Sequence, residues 1–219
     1  MKILKLRFEN INSLKGVHEI DFTRNPLASA GLFAITGATG TGKTTILDVI
    51  TLALFDRIPR VDDKISKGLI ERTGLIMTRN MNSCFAETSY QCKKGVFTTR
   101  WSISRTRTGS LREYEMELYN SSGELLDLKK TEVPDENVKN IGLNFNQFVK
   151  AIILAQGDFA AFLKAKGDER GLLLEQITGS WIYRELGKAA FGRNKLFGQE
   201  LELLLSREKD LRNRLMDNE

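Results

Sequence analysis

The amino-acid sequence predicts an α/β fold, and three observations lead to that prediction. A short apolar run at residues 32–36 is followed by a glycine-rich segment at 37–45 and then by a longer apolar run at 46–55. In residues 84–128 successive side chains alternate with period two between the two sides of a strand, which is typical of antiparallel strands. After residue 131 the pattern becomes helical, and one long helix is predicted at the end of the sequence.

The first part of the chain predicts three strands and a helix. Residues 2–8 alternate apolar and charged side chains, and residues 18–22 predict a second strand. The segment between them, residues 9–17, contains turn-forming asparagine, serine and glycine and is predicted as a loop. The run at 32–36 predicts a third, buried strand. Residues 44–55 are long enough and apolar enough for a buried helix, which ends before the next proline.

The middle of the chain predicts a long loop and then a meander. Residues 57–82 are polar and weakly periodic, which favours a long loop containing one short helix. Glycine-containing turns divide the next segment into antiparallel strands. These strands are expected at residues 84–90, 96–107, 112–120 and 124–128. Pro134 is well placed for the first turn of a helix. Residues 145–154 predict a further helix, which the polar residues 155–158 interrupt.

The glycine-rich segment has the spacing of a phosphate-binding loop, and a strand and a helix flank it as such a loop requires. Glycines let backbone N–H groups point towards a phosphate, and the helix N-terminus adds partial positive charge. Lys43 is predicted to reach the β- and γ-phosphates, Thr44 to ligate Mg²⁺, and Thr45 to donate a further hydrogen bond. The sequence therefore predicts that ATP and Mg²⁺ bind at Gly37, Thr39, Gly40, Thr41, Gly42, Lys43, Thr44 and Thr45.

Composition limits the class of protein. The 219 residues are 41% hydrophobic and 28% charged, which suits one large domain or one and a half. No apolar run approaches 18 residues, so no membrane span is predicted, and the alternating N-terminus lacks the apolar core of a signal peptide. Cys84 and Cys92 fit neither a disulfide framework nor a metal motif, and we expect a cytoplasmic protein. His18, the only histidine, is predicted to be an ordinary strand residue.

Positive charge is concentrated in one stretch of the chain. Residues 60–112 contain 11 Lys and Arg against 4 Asp and Glu, an excess of seven positive charges. Such a segment can bind nucleic acid, or it can be the solvated face of a β-sheet. Charge alone leaves both interpretations open.

The last segment, from residue 181, has apolar residues at alternating spacings of three and four, which form a seam along one side of a helix. Phe197 extends this seam towards the N-terminus. The seam consists of Leu201, Leu204, Glu208, Leu211 and Leu215. This pattern predicts either the start of a coiled coil or an amphipathic helix that packs on its own domain. The charged residues on the other faces favour a helix that leaves the domain.

Hydrolysis of ATP needs more than a phosphate-binding loop. An apolar strand ending in Asp-Glu usually holds Mg²⁺ and activates water. The sequence contains neither such a strand nor a Ser-Gly-Gly signature that could cap a phosphate from a second subunit. Two interpretations follow: a protein that only binds nucleotide, or one half of a split site.

Beyond the phosphate-binding loop, several blocks of the sequence resemble one family. The chain is similar to the N-terminal segment of the SbcC family, the ATPase subunits of the bacterial SbcCD nucleases, within the wider class of DNA-repair and chromosome-maintenance ATPases with long coiled coils. The resemblance covers essentially the whole chain, and the block around Gln156 is its most specific part. The matching blocks are residues 1–4, 10–16, 20–24, 31–37, 75–79, 154–163 and 173–179.

The resemblance implies a P-loop ABC-type ATPase half-head, lobe I, with an antiparallel β-meander. The nucleotide-binding lobe would span residues 1–180, with a Q-loop region at 145–163, and a coiled-coil helix would begin at 181–219. Gln156 matches the glutamine that ligates Mg²⁺ and senses the γ-phosphate, so Lys43 and Gln156 are the expected catalytic residues. Asn12 and Ser13 match a loop that touches the nucleotide in relatives.

The resemblance also implies partners. These are the chain's own C-terminal ATPase half, a second SbcC head in a homodimer, the SbcD nuclease and double-stranded DNA, with no membrane. Two complete heads would sandwich ATP, and their closure would gate DNA access to the nuclease. Hydrolysis would require the C-terminal half. Two other functions stay open from the residues alone: a DNA-binding module that uses the basic segment 60–112, and a stand-alone P-loop phosphotransferase.

Overall fold

The structure is a computed structural model that describes residues 1–61, 64–149, 171 and 180–216. The chain divides into two compact units, Met1–Gln156 and Gly157–Glu219. Among the described residues, the first unit contains a sheet with four helices, and the second contains one long helix.

A five-stranded antiparallel sheet forms the centre of the first unit, and its strand order is β2-β1-β3-β4-β5. The strands are β1 (Lys2–Ile11), β2 (Leu14–Asp21), β3 (Ser83–Cys92), β4 (Gly95–Ser104) and β5 (Glu115–Tyr119). The predicted meander is therefore confirmed, and it continues the N-terminal hairpin in one sheet because β3 pairs with β1.

The two faces of the sheet differ because side chains alternate along each strand. One face is apolar and buried, and it includes Leu6, Phe8, Ala86, Trp101 and Leu118. The other face carries one charged residue from each strand in a single row. In order across the sheet, this row is Glu19, Arg7, Glu87, Arg100 and Glu117. Opposite charges thus face each other at every step, which stabilises the pairing of neighbouring strands.

Helix α1 (Lys43–Phe55) packs against the buried face of the sheet, and every residue from Val49 to Phe55 is buried. Two carbonyls of its last turn accept side-chain hydrogen bonds from neighbouring elements. Thr99 Oγ1 donates to the carbonyl of Ala53, and Asn137 Nδ2 donates to the carbonyl of Leu54, both at 2.9 Å. These bonds fix the C-terminal half of α1 while satisfying polar groups that water cannot reach.

The remaining helices are α2 (Lys67–Thr73), α3 (Val133–Ile141), α4 (Phe145–Phe148) and α5 (Trp181–Met216). The short helix predicted within 57–82 is confirmed as α2, and Pro134 lies in the first turn of α3 as predicted. The predicted long C-terminal helix is confirmed as α5. In the described part of the chain, no helix is both long and apolar enough to cross a membrane.

A buried carboxylate lies where α1 ends. Asp56 is 2% exposed, and its Oδ1 accepts a hydrogen bond from Trp101 Nε1 at 2.8 Å. The Trp101 ring stacks on Tyr114 with ring centroids 5.9 Å apart. Burial raises the pKa of Asp56 from 3.8 to about 6, although hydrogen bonds from Tyr114 and Trp101 oppose the shift. The Asp56 carboxylate therefore fixes the end of α1 to the central sheet, and its hydrogen-bond donors stabilise the ionised form.

The prediction of a buried strand at residues 32–36 is wrong. The segment forms no strand, and Leu32, Phe33 and Ile35 are 93%, 46% and 46% exposed. A buried strand needs a neighbouring strand on which to form hydrogen bonds. The sheet contains β1 to β5 alone among the described residues, so this apolar run lacks such a neighbour there.

Several predicted boundaries also change. The predicted loop at 9–17 is a tight turn, because Asn10 and Asn12 both adopt φ 51° and let the hairpin close early. The predicted strand at 112–120 begins only at Glu115, the strand at 96–107 ends at Ser104, and the strand at 124–128 is reduced to one bridge between Tyr119 and Leu125. The helix predicted at 145–154 is helical at its start, Phe145–Phe148, and residues 150–154 lie outside the described residues.

Candidate functional site

The phosphate-binding loop joins α1 through a glycine that no other residue could replace without strain. Gly42 immediately precedes the helix and has φ 92°, a left-handed conformation. A Cβ on Gly42 would lie 2.8 Å from Cγ of Leu14, at the start of β2. The hairpin β1–β2 therefore packs directly against the N-terminus of α1, and the close approach requires glycine.

The lysine of the loop is held by backbone carbonyls. Lys43 Nζ donates to the carbonyl oxygens of Gly37 and Ala38, each at 2.7 Å. Thr41 Oγ1 donates to the same Ala38 carbonyl at 2.8 Å. A Cβ on Gly37 would come within 2.8 Å of Thr41 Oγ1, so the loop closes tightly on itself. This geometry encloses one positive charge at the positive end of a helix dipole, which suits an anion.

The other predicted loop residues differ in accessibility. Thr39, Gly40, Thr41 and Thr44 are exposed, whereas Thr45 is 4% exposed. The structure thus brings the whole predicted set from 37 to 45 to one place at the start of α1. Contacts of these residues with phosphate or Mg²⁺ stay predictions. Gln156 lies outside the described residues.

Asn12 and Ser13 form the turn of the β1–β2 hairpin, which lies beside α1. The Asn12 side chain is engaged by protein on both ends. Its Nδ2 donates to Oδ2 of Asp48 at 3.2 Å, and its Oδ1 accepts from the backbone N–H of Ile76 at 3.1 Å. The predicted contact of Asn12 and Ser13 with nucleotide stays a prediction, and the turn lies beside α1.

Sequence analysis missed Asp48 as part of the site. This residue is 0% exposed within α1 and forms an ion pair with Arg60, which follows the helix. Burial raises the pKa of Asp48, while the hydrogen bond and charge of Arg60 lower it. The sequence did indicate it, because a carboxylate inside the apolar run 46–55 needs hydrogen-bond or charged partners if that run is buried.

A cavity of about 490 Å³ opens beside the loop. It is bounded by the loop itself, by the start of α1 and by the β1–β2 hairpin, including Gly37, Lys43, Leu14 and His18. His18 lies in β2, as predicted for a strand residue, and its ring stacks on Phe8 with centroids 5.2 Å apart. The volume falls within the range of small-ligand sites.

Substitution Gly42→Ala is expected to destabilise the fold more than Gly109→Ala. Both glycines have positive φ, 92° and 88°, so alanine costs about 1 kcal/mol of backbone strain at either position. Only at Gly42 would the new methyl group also clash, with Leu14, which adds about 1–3 kcal/mol. Urea unfolding of the two variants without nucleotide measures the difference, and equal losses of stability would show that Leu14 is not packed there.

The basic segment 60–112 does not form the open face of the sheet. Of its 11 Lys and Arg residues, only Arg100 lies within a strand of the sheet, in the row that also contains three glutamates. The interpretation as a solvated sheet face is therefore wrong. Because Ser83 pairs with Ser104, the loops that precede β3 and follow β4 meet at one end of the sheet. These loops, termed here the basic end, contain Arg79, Arg105, Arg107 and Arg112.

Comparison with known proteins supports the sequence-based resemblance. The family model AAA_23, described as an AAA domain, matches residues 5–218. The chain is 41% identical over 208 residues to the SbcC subunit of the SbcCD nuclease of Pseudomonas aeruginosa, covering 88% of this chain and 17% of that protein. It is 35% identical over 233 residues to the protein of the same description from Rhodobacter capsulatus, covering 100% of this chain and 19% of the relative.

A more distant relative carries a different description. The chain is 28% identical over 211 residues to "Probable DNA double-strand break repair Rad50 ATPase" of Aquifex aeolicus, covering 93% of this chain and 20% of that protein. The chain thus spans about a fifth of the length of these curated relatives. The match of the family model over nearly all residues, together with the phosphate-binding loop at the start of α1, shows that the chain belongs to the AAA-domain family of SbcC- and Rad50-like ATPases.

Proposed function

We propose that the chain is the ATP-binding part of a DNA double-strand-break repair ATPase. The observation that carries the proposal is the enclosure of the Lys43 ammonium group by the carbonyls of Gly37 and Ala38 at the N-terminus of α1. A lysine held there, beside backbone N–H groups and a helix N-terminus, is complementary to the β- and γ-phosphates of a nucleoside triphosphate.

Thr44 and Gln156 are proposed to hold Mg²⁺ together with the phosphates. Thr44 exposes its side chain in the first turn of α1. A hydroxyl and an amide oxygen are hard donors, and Mg²⁺ commonly uses few protein ligands together with phosphate oxygens. Among the described residues, no group of three or more His, Cys, Asp or Glu side chains could hold a metal ion by itself. This donor set therefore fits a metal that arrives with its nucleotide.

The exposed run at 32–36 supports the proposal that the site is completed by another segment, the C-terminal ATPase half. Leu32, Phe33 and Ile35 lead directly into the phosphate-binding loop and remain exposed. Beside them lies an apolar groove of about 530 Å³ that is also lined by Ile3 and Phe22. A strand that paired with this run would bury these side chains and supply the hydrogen bonds that its backbone lacks.

Two completed heads are proposed to dimerise around ATP and to gate a partner nuclease on DNA. Two of the relatives are described as the SbcC subunit of the SbcCD nuclease, which supports an SbcD-type nuclease as the partner. The exposed side chains of Leu201, Leu204 and Leu211 on α5, each more than half exposed, support a second helix packed along it as in a coiled coil. The free thiols of Cys84 and Cys92 support a reducing, cytoplasmic location.

Titration with a fluorescent ATP analogue tests the nucleotide-binding proposal. Saturable binding that strengthens when MgCl₂ is added is expected, because Mg²⁺ neutralises the triphosphate and adds the Thr44 contact. Competition by unlabelled ATP, but not by adenosine, should follow, since the loop recognises phosphate. Absence of saturable binding in the presence of Mg²⁺ would overturn the proposal.

DNA binding at the basic end is the second candidate function. The four arginines of this end outnumber its single acidic residue, Glu113, in the loop segments 78–82 and 105–114. Arg105 Nη1 donates to the carbonyl of Gly109 at 2.8 Å, which stiffens the β4–β5 loop. A group of arginines at one end of a sheet, next to a face of mixed charge, suits the phosphate backbone of double-stranded DNA.

Replacing Arg105, Arg107 and Arg112 together with Gln is expected to weaken binding of a duplex oligonucleotide and to reduce its salt dependence. Each lost phosphate contact lowers the slope of log K against log salt by about 0.9, so the slope should fall by about 2 to 3 in magnitude. A control variant that replaces Lys2, Arg24 and Lys129 with Gln removes the same charge elsewhere. Equal slopes for the two triple variants would locate DNA binding outside the basic end.

A further inference from the structure

The buried carboxylate of Asp48 joins three segments that surround the phosphate-binding loop. Its Oδ2 accepts a hydrogen bond from Arg60 Nη2 and another from Asn12 Nδ2, the latter at 3.2 Å. Its Oδ1 is also buried and has no hydrogen-bond donor among the described residues. Asp48 itself belongs to α1, Asn12 to the hairpin turn and Arg60 to the segment after the helix, so one side chain links all three.

Helix geometry places this carboxylate near the phosphate end of α1. Asp48 and Thr44 are four residues apart and therefore lie on the same face of the helix. Side chains of an α-helix lean towards its N-terminus, so the Asp48 side chain extends back over the turn that contains Thr44. Bonds made by Asp48 are consequently made on the side of α1 that bears the predicted metal ligand.

The hairpin turn is bonded to the Asp48 side of α1, and it also contacts the phosphate-binding loop. Asn12 donates its backbone N–H to the carbonyl of Ile76 at 2.6 Å, and its Oδ1 accepts from the N–H of Ile76. Two residues later, Leu14 packs against Gly42. Release of the Asn12 side chain from Asp48 would loosen the contact that confines Gly42 and, through it, the loop.

We propose that Asp48 is a positioning residue of the nucleotide site, and that its carboxylate holds Asn12 and Arg60 against the Thr44 face of α1 so that the phosphate-binding loop keeps its geometry. The proposal rests on the proposed nucleotide binding and deepens it. Asp48 acts through Asn12, Arg60 and the loop, without touching the nucleotide itself.

A positioning role and a merely structural role predict different results for Asp48→Asn. Arg60 is 46% exposed, so its guanidinium can turn to water when the partner loses its charge. Removal of a buried charge also removes a desolvation penalty. The thermal midpoint of unfolding is therefore expected to stay the same or to rise, while affinity for the Mg²⁺-loaded ATP analogue falls at least 10-fold. A structural role alone would lower the midpoint and leave affinity unchanged.

A double-mutant cycle separates the contribution of the ion pair. Arg60→Gln is expected to lower the thermal midpoint, because it leaves the Asp48 carboxylate buried without its cation. The double variant Asp48→Asn with Arg60→Gln should regain the midpoint but not the affinity, and its affinity loss should be smaller than the product of the two single losses. Asn12→Ala keeps the ion pair between Asp48 and Arg60 and should weaken nucleotide binding by an intermediate factor. This variant tests the proposal if Asp48→Asn does not fold.

The matched control is Glu87→Gln, which removes a carboxylate from the ion pair with Arg100 on the open face of the sheet, where the charged atoms are 3.7 Å apart. Affinity within twofold of wild type is expected for this control. If wild-type chain binds the analogue and Asp48→Asn and Asn12→Ala bind it equally well, the positioning role is wrong while nucleotide binding stands. If wild-type chain binds no analogue, the proposed function and this inference fall together.

Discussion

Replacing Lys43 with alanine is expected to weaken binding of the ATP analogue at least 10-fold. The ammonium group lies 2.7 Å from two loop carbonyls, so its position is set before ligand arrives and no chain ordering is needed on binding. Each charge-assisted hydrogen bond to phosphate contributes about 1.5–3 kcal/mol. Two of the three Nζ–H donors are bonded to loop carbonyls, so one remains for phosphate, and loss of its bond corresponds to about one to two orders of magnitude in affinity.

The fold should tolerate this substitution. The loop residues that Lys43 contacts are exposed, so water can replace the lost donors at the Gly37 and Ala38 carbonyls, and we expect a change of less than about 1 kcal/mol in the free energy of unfolding. Lys5→Ala is the matched control, since Lys5 pairs with Glu19 at 2.9 Å on the open face of the sheet. Binding by Lys43→Ala within threefold of the control would mean that the loop does not hold the phosphates.

The phosphate-binding loop and α1 were predictable because their determinants are local. Gly42 must adopt a left-handed conformation, the following residues form a helix of the expected length, and Lys43 needs only a few residues of backbone to form its contacts. Such short-range requirements can be recognised from the spacing of residue types in the sequence.

Long-range pairing was less predictable. The strand β1 pairs with β3 in a register that sets Lys2 opposite Gln91, and alternation alone cannot choose among partners for a strand. The partners of Asp48 are likewise distant, 36 residues away for Asn12 and 12 residues away for Arg60. Periodicity correctly indicated that α1 is buried, but which polar groups satisfy its carboxylate depends on tertiary packing.

The prediction of a buried strand at residues 32–36 was wrong for a different reason. Its apolar sequence predicts burial, yet Leu32 is 93% exposed. Among the described residues, no strand pairs with this run. The same local preference now supports the proposal of a completing segment, because apolar side chains that lead directly into a binding loop are seldom left in water.

Helix α1 has two buried carboxylates, one in its middle and one immediately after its last residue. In the middle of the helix, Asp48 bonds to Asn12 and Arg60. At the C-terminus, Asp56 accepts from Trp101 in the centre of β4, and the chain that follows β4 forms the basic end. Helix α1 is thus bonded to its surroundings at Asp48 and at Asp56, so loss of the Trp101 contact should release its C-terminal end from the sheet.

Substitution Trp101→Ala is expected to lower the free energy of unfolding by about 4–8 kcal/mol. Truncation of a fully buried Trp to Ala costs about 3–5 kcal/mol through lost contacts and a cavity, and Trp101 is 0% exposed. The Asp56 carboxylate also loses a donor at 2.8 Å, which adds about 1–3 kcal/mol. Because domains of this size are stable by about 5–15 kcal/mol, urea unfolding should show a protein near the limit of folding.

Trp101→Phe separates the hydrogen bond from the packing, and its effect should depend on pH. The folded pKa of Asp56, about 6, exceeds its ordinary value of 3.8. The unfolded state therefore binds fewer protons between these values, and stability falls as pH rises from about 4 to 6. Removing the indole N–H disfavours the ionised carboxylate further, so the loss caused by Trp101→Phe should be larger at pH 7.5 than at pH 4. Tyr119→Phe, which removes a partly buried hydroxyl bonded to Glu117, is the control for loss of an aromatic donor. If the loss for Trp101→Phe is the same at both pH values, Asp56 does not depend on Trp101 for its charge.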